Sequence, residues 1–162
     1  VVTGAVRGVD YIASLSQWDG KTIGVTGASQ GGFLSLAVAA LDKRITFLGV
    51  VHDAMCDYSA EVHGVAGGWP HYFYKNTDKS LKVKVDASMY YDGVNFARRI
   101  NVPGWYSFGY NDEVVPPTSS YGLYNIVTAP KKLSVYQQTG HYWYQEQWDE
   151  WQNYIKEHLN VK

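Results

Sequence analysis

The sequence is poor in cysteine and in net charge. Cys56 is its single cysteine, so no disulfide can form within the chain. The formal net charge is −1 at pH 7, with no cluster of lysine or arginine, which argues against nucleic acid or an anionic membrane surface as the main partner. No apolar run approaches the length of a membrane span. The sequence therefore predicts neither a nucleic-acid-binding protein nor a membrane-spanning one.

Metal-binding and phosphate-binding motifs are missing as well. There are five histidines, but no two have a metal-ligand spacing such as His-Glu-x-x-His. No glycine-rich phosphate loop is found, and Cys56 has no activating neighbours, so we interpret it as a packing residue. We expect no metal and no cofactor.

The chain has the composition and length of one globular domain. Its 162 residues are 46% hydrophobic and 18% charged. Apolar periodicity predicts alternating elements, with helices at 2–15, 33–41, 88–100, 120–127 and 148–159 and strands at 21–26, 45–51, 104–108 and 132–137. Residues 53–86 are interpreted as an insertion over the strand ends. The alternation predicts an α/β fold with a parallel sheet and helices on both faces.

A Gly-x-Ser-x-Gly pattern occupies residues 27–31, between a predicted strand and a predicted helix. This is the setting of the nucleophile elbow of an α/β-hydrolase, in which a serine sits on a strained turn above the sheet. We expect that a side chain at Gly27 or Gly31 would collide with its neighbours in so tight a turn. Ser29 is thus a candidate nucleophile, although a serine between glycines can also be a simple turn residue.

A carboxylate and a histidine follow Ser29 in the order that this fold uses. Asp112 comes after the third predicted strand, and His141 comes after the fourth. Because parallel strands end at one edge of a sheet, we expect these side chains to meet there. Asn111 and Glu113 are rival partners for the histidine, and His141 could instead be a surface residue.

Further residues are candidates for lining a substrate pocket. His52 and Asp53 end the second strand at the same sheet edge, and Tyr110 lies in the loop of Asp112. Trp69 belongs to an aromatic group with Tyr72, Phe73 and Tyr74. Such a group can pack or can form a platform for a sugar ring, and composition favours packing.

Three separated stretches resemble the acetyl xylan esterase and cephalosporin-C deacetylase family. Residues 23–32 resemble its nucleophile region, 109–117 its acid loop with a Pro-Pro helix start, and 139–141 its histidine loop. Residues 62–71 are similar to members of that family from gut Bacteroidetes. The resemblance extends over essentially the whole sequence.

The resemblance implies an α/β-hydrolase that removes acetyl groups from xylan, xylo-oligosaccharides or other small acetylated substrates. It implies Ser29 as nucleophile, His141 as general base and acid, and Asp112 as the carboxylate that orients it. The backbone N–H of Gln30 would be one oxyanion donor, with no cofactor. It also implies a homo-oligomer, and a secreted or periplasmic location.

The sequence begins without methionine, in a predicted helix, and has fewer strands than the complete fold. We therefore expect a partial catalytic domain over residues 1–162, the C-terminal half of the fold, which folds poorly and has little activity alone. A second oxyanion donor would come from outside it. Two other functions fit the same motifs: another serine hydrolase, such as a peptidase or a general esterase, and a catalytically incomplete structural module.

Overall fold

The computed structural model describes residues 1–75 and 81–160. In chain order its elements are α1 (Val2–Ser14), β1 (Gly24–Ala28), α2 (Gln30–Leu41), β2 (Phe47–Val51), a 3₁₀ helix (Tyr58–His63), α3 (Leu81–Ser88), α4 (Gly93–Ala97), β3 (Gly104–Gly109), α5 (Pro117–Ile126), β4 (Lys131–Tyr136) and α6 (Gln145–Leu159).

The four strands form one parallel sheet in the order β1-β2-β3-β4. The register pairs Ala28 with Val51, Val51 with Ser107, and Gly109 with Tyr136, so the carboxyl ends of all four strands lie at one edge. This parallel α/β arrangement confirms the predicted fold class. It also brings together the loops that carry Ser29, His52, Asp112 and His141.

Helices cover both faces of the sheet. The larger core, on one face, contains residues of α1, α2, α4 and α5 packed on the strands. Helix α2 is apolar around most of its circumference and is buried accordingly. On the other face, Tyr154 of α6 packs with Phe47, Val51 and Trp105. Within the two described ranges, no helix is both long enough and apolar enough to cross a bilayer.

The predicted helix at 88–100 is wrong. A turn interrupts it, and α3 ends at Ser88 while α4 begins at Gly93. Asp92 is the reason, because its carboxylate accepts hydrogen bonds from the backbone N–H groups of Asp57, Tyr58 and Val94. A carboxylate engaged this way caps a new helix and does not continue an old one.

The region predicted as an insertion contains the 3₁₀ helix and α3. Residues 76–80 of that predicted insertion lie outside the described residues. At its start, Met55 donates its backbone N–H to the carbonyl of Trp69, so the segment folds back on itself.

Candidate active site

Ser29 lies on a strained turn between β1 and α2. Its φ of 56° and ψ of −123° are unusual for a residue with a side chain. Two backbone hydrogen bonds hold the turn against β2: Ser29 N donates to Val51 O at 2.8 Å, and Ala54 N donates to Ser29 O at 3.2 Å. The geometry is that of a nucleophile elbow, with the serine hydroxyl raised above the sheet.

The steric expectation for the glycines around Ser29 is confirmed at Gly27 and wrong at Gly31. A Cβ on Gly27 would lie 2.4 Å from the backbone of Gly31, so Gly27 must lack a side chain. A Cβ on Gly31 would meet no atom within 4 Å, so the expected collision at that position is wrong. Instead, Gly32 approaches β2, because its Cβ would lie 3.1 Å from Val51 O. The tight contact in this turn is thus between Gly27 and the backbone of Gly31.

Three side chains from different loops form one hydrogen-bonded chain. His141 Nε2 lies 3.0 Å from Ser29 Oγ, and His141 Nδ1 lies 2.8 Å from Asp112 Oδ2. If Asp112 accepts the Nδ1 proton, Nε2 is free to accept the serine proton. The structure thus brings together the three residues that the sequence order selects.

Asp112 is buried and receives several hydrogen bonds. Its Oδ1 accepts from the backbone N–H groups of Val114 at 3.0 Å and Val115 at 2.8 Å. Burial would raise the pKa of Asp112, but the N–H groups of His52, Val115 and His141 outweigh burial and hold that pKa below its ordinary value. The carboxylate therefore stays charged wherever the histidine is needed as a base.

The histidine bonds to Asp112, and no contact between it and its rivals Asn111 and Glu113 is found among the described residues. The backbone N–H of Asn111 donates to Thr139 O at 2.9 Å, which ties the acid loop to the histidine loop. Glu113 faces a cavity that is also lined by His71 and Lys75 of the predicted insertion.

His52 and Asp53 were expected on a pocket wall, but the structure buries both. Their exposed fractions are 2% and 3%. His52 Nδ1 lies 3.1 Å from Asp112 Oδ2, and its ring centroid is 5.3 Å from that of His141. Burial raises the pKa of Asp53 to about 6, against smaller lowering effects from Ser120 and Cys56. Both residues thus lie behind the reacting groups.

His52, Asp112 and His141 are also a possible metal-ligand set, since their ligand atoms lie within 4.8 Å of one another. However, the two Nδ1 atoms approach the same oxygen at 3.1 and 2.8 Å, which are hydrogen-bond distances. A metal bound by His141 Nδ1 would also displace the proton that Asp112 accepts. The arrangement fits proton transfer better than metal binding.

An apolar cavity of about 390 Å³ opens beside the nucleophile turn. Gln30 lines it together with Met55, Tyr58 and Tyr72. Gln30 is the first residue of α2, and the first N–H groups of a helix have no acceptor within it, so its N–H is available as a donor at this turn.

The remaining aromatic candidates are divided among packing, cavity and surface positions. Phe73 is buried, whereas Tyr72 is 60% exposed and lines the cavity beside the turn. Trp69 is half-exposed, and Tyr110 bonds through its hydroxyl to Tyr121 at 3.1 Å.

Sequence reasoning missed a histidine–carboxylate pair that links the insertion to the acid loop. His71 Nδ1 lies 2.9 Å from Glu61 Oε1, and His71 Nε2 lies 3.2 Å from Val114 O. Glu61 also accepts from the N–H of Phe73. These residues are ten apart in a segment without regular periodicity, so no spacing rule would have paired them.

Comparison with known proteins gives consistent matches. The family model described as acetyl xylan esterase matches residues 1–158. Acetyl esterase Axe7A from Xylanibacter ruminicola is 47% identical over 132 residues, which are 82% of this chain and 30% of that protein.

Solved structures agree with this match. An acetyl xylan esterase from a Paenibacillus species superposes with a TM-score of 0.88 at 27% identity, over 97% of this chain and 52% of its own. Acetyl xylan esterase 1 from a Thermoanaerobacterium species gives 0.84 at 25% identity, with the same coverage. This chain thus spans about half the length of these solved relatives and 30% of the curated one.

Proposed function

The chain belongs to the acetyl xylan esterase family, and we propose that it carries the nucleophile, base and acid of a serine esterase acting on acetylated xylan or xylo-oligosaccharides. The hydrogen-bonded chain from Ser29 Oγ through His141 to Asp112 is the observation that supports this proposal. Both distances are those of directed hydrogen bonds, and the elbow lies at the carboxyl edge of the sheet, beside the cavity that Gln30 lines.

In the first half of the reaction, Ser29 Oγ attacks the acetyl carbonyl carbon while His141 Nε2 takes the hydroxyl proton. The charge that develops on the carbonyl oxygen is stabilised by the N–H of Gln30. When the intermediate collapses, the ester C–O bond breaks and His141 gives its proton to the sugar oxygen that leaves. The product is an acetyl ester of Ser29 and a free sugar hydroxyl.

In the second half, water attacks the acetyl–Ser29 ester and gives its proton to His141 Nε2. Collapse releases acetate and returns the proton to Ser29 Oγ. Asp112 remains ionised in both halves and stabilises the imidazolium that forms twice. Its lowered pKa suits this role, because the carboxylate must not compete for the proton.

The proposal predicts that Ser29→Ala abolishes acetate release from acetylated xylan. We expect a loss of at least about a thousandfold in kcat, because the covalent step cannot occur. The assay measures acetate from acetylated xylan and from an aryl acetate, using the naturally expressed protein that contains this chain. Labelling by a fluorophosphonate, followed by peptide mass spectrometry, should place the adduct on Ser29.

Ser35→Ala is the matched control. Ser35 lies six residues beyond Ser29, and its hydroxyl donates to Gly31 O at 2.9 Å. We expect this variant to retain turnover and labelling. Undiminished acetate release by Ser29→Ala, or an adduct that forms equally in that variant, would contradict the proposal. An aryl acetate hydrolysed by Ser29 without acetate release from xylan would restrict the proposal to another ester substrate.

A further inference from the structure

His52 contacts the catalytic carboxylate but has no part in the acyl-transfer steps. It follows β2 directly, its φ is 47°, and its ring is 2% exposed. Its Nδ1 lies 3.1 Å from Asp112 Oδ2, the oxygen that His141 also uses. Within the described residues neither ring nitrogen of His52 has a well-directed hydrogen bond, so this close approach to Asp112 is its main polar contact.

The approach of His52 Nδ1 to Oδ2 at 3.1 Å is attractive only when Nδ1 carries the proton, because a lone pair on that nitrogen would repel the carboxylate. Asp112 then has two backbone hydrogen bonds on Oδ1 and one hydrogen bond from His141 on Oδ2, with the Nδ1–H of His52 close to that same oxygen. These contacts restrict how the carboxylate can rotate.

The backbone at His52 indicates that the residue is held in place. Few residues other than glycine and asparagine adopt a positive φ at low cost. The His52 N–H donates to Ser107 O at 2.9 Å, which fixes this backbone to β3. The charged and titratable groups that face the ring are Asp112, His141 and the neighbouring Asp53.

We propose that His52 is a positioning residue for the esterase reaction, whose ring packs its Nδ1–H against Oδ2 of Asp112, the oxygen that His141 also contacts. This contact holds the carboxylate in the orientation that keeps His141 directed at Ser29. This inference rests on the proposed esterase function.

Two substitutions distinguish the effect of losing the N–H donor from the effect of backbone strain, because glycine and asparagine both tolerate a positive φ. His52→Gly removes the donor, and His52→Asn keeps an N–H donor near the position of Nδ1. We expect His52→Gly to lower kcat about tenfold, or about 1.4 kcal/mol in the barrier, with little change in KM. We expect His52→Asn to recover most of that loss.

Rescue by the conservative variant distinguishes positioning from packing. If the N–H beside Oδ2 positions the carboxylate, His52→Asn restores kcat, whereas a loss caused by missing ring packing is not restored by the smaller amide. His63→Asn, at an exposed histidine of the 3₁₀ helix, is the control and should leave kcat and KM unchanged.

The outcomes separate this inference from the proposed function. Turnover that survives Ser29→Ala overturns the proposed function. Ser29-dependent turnover with an unchanged kcat in His52→Gly overturns the positioning role alone. A lower kcat that His52→Asn does not restore also overturns it, because lost packing then explains the loss. The melting temperatures of His52→Gly and His52→Asn are measured first, so that a lower rate caused by unfolding is not taken for a loss of positioning.

Discussion

Asp53 is a carboxyl group that the fold holds where a charge is unfavourable. It is 3% exposed, and in the described part of the chain its Oδ2 has no hydrogen-bond partner. Burial raises the pKa of Asp53 to about 6, whereas the unfolded chain would keep it near its ordinary value. The folded state therefore binds this proton more tightly than the unfolded state does.

This difference predicts a pH-dependent effect of Asp53→Asn. The stabilisation from the protonated carboxyl is complete below pH about 4 and is lost as the pH rises through about 6. The amide mimics the neutral carboxyl, so the variant should be more stable than wild type at pH 8, by about 3 kcal/mol at most. That advantage should shrink towards pH 4. Urea unfolding at several pH values measures it.

Asp149→Asn provides the comparison for this series. Asp149 lies exposed on α6 and accepts a hydrogen bond from Gln145. Its replacement should change stability little and equally at all pH values. A constant difference between wild type and Asp53→Asn from pH 4 to 8 would show that Asp53 does not titrate as the buried geometry implies.

The grouping of Ser29, Asp112 and His141 could be predicted from sequence, but the burial of His52 against Asp112 could not. Ser29, Asp112 and His141 each follow a strand, and a parallel sheet brings all such positions to one edge. The same rule selected His52, but it could not tell whether the ring points to the cavity or to Asp112. That depends on a positive φ at His52, which a sequence pattern does not encode.

At the level of elements, Asp92 joins two segments that are far apart in sequence. Its carboxylate accepts from the N–H groups of Asp57 and Tyr58 in the insertion and of Val94 in α4. The apolar spacing over 88–100 predicts one helix, because the spacing of apolar residues gives no information about a buried capping residue such as Asp92. The side chain can bind a distant loop only after folding, so a local pattern could not predict it.

We expect Asp92→Asn to destabilise the protein by about 2 kcal/mol, because an amide offers one acceptor oxygen to three N–H donors. The effect should appear as a lower midpoint of urea unfolding. Asp86→Asn on α3 tests a carboxylate that makes an exposed ion pair with Lys82. That replacement should cost less than about 0.5 kcal/mol. Equal costs for the two variants would contradict the capping role of Asp92.

At the level of the whole molecule, the two edges of the described sheet differ. Strand β4 carries Lys131 and Lys132, and charged residues discourage pairing with another chain. Strand β1 has the sequence Gly-Val-Thr-Gly-Ala and pairs with β2 on one side in the described residues. Its other side presents backbone N–H and C=O groups with no charged side chain nearby on the strand.

The 162-residue chain expressed alone should therefore self-associate through β1. Thr26→Lys places a charge on this strand at an exposed position, so it should lower the apparent mass in light scattering at a given concentration. It also removes the hydroxyl that accepts a hydrogen bond from the indole N–H of Trp151, so Thr26→Val, which removes the hydroxyl without adding charge, is measured beside it. Thr3→Lys on the exposed part of α1 adds the same charge elsewhere. If both lysine variants lower the mass equally, net charge and not the strand edge controls association.

Two backbone hydrogen bonds join the turn at Ser29 to the end of β2 and to the loop that follows β2. The turn and that loop therefore form one cooperative unit. Ser29 N is bonded to Val51 O, and Ala54 N is bonded to Ser29 O, with His52 between those two partners. A local opening that breaks these bonds at Ser29 also frees the segment that contains His52. Substitutions in the two loops are therefore coupled energetically.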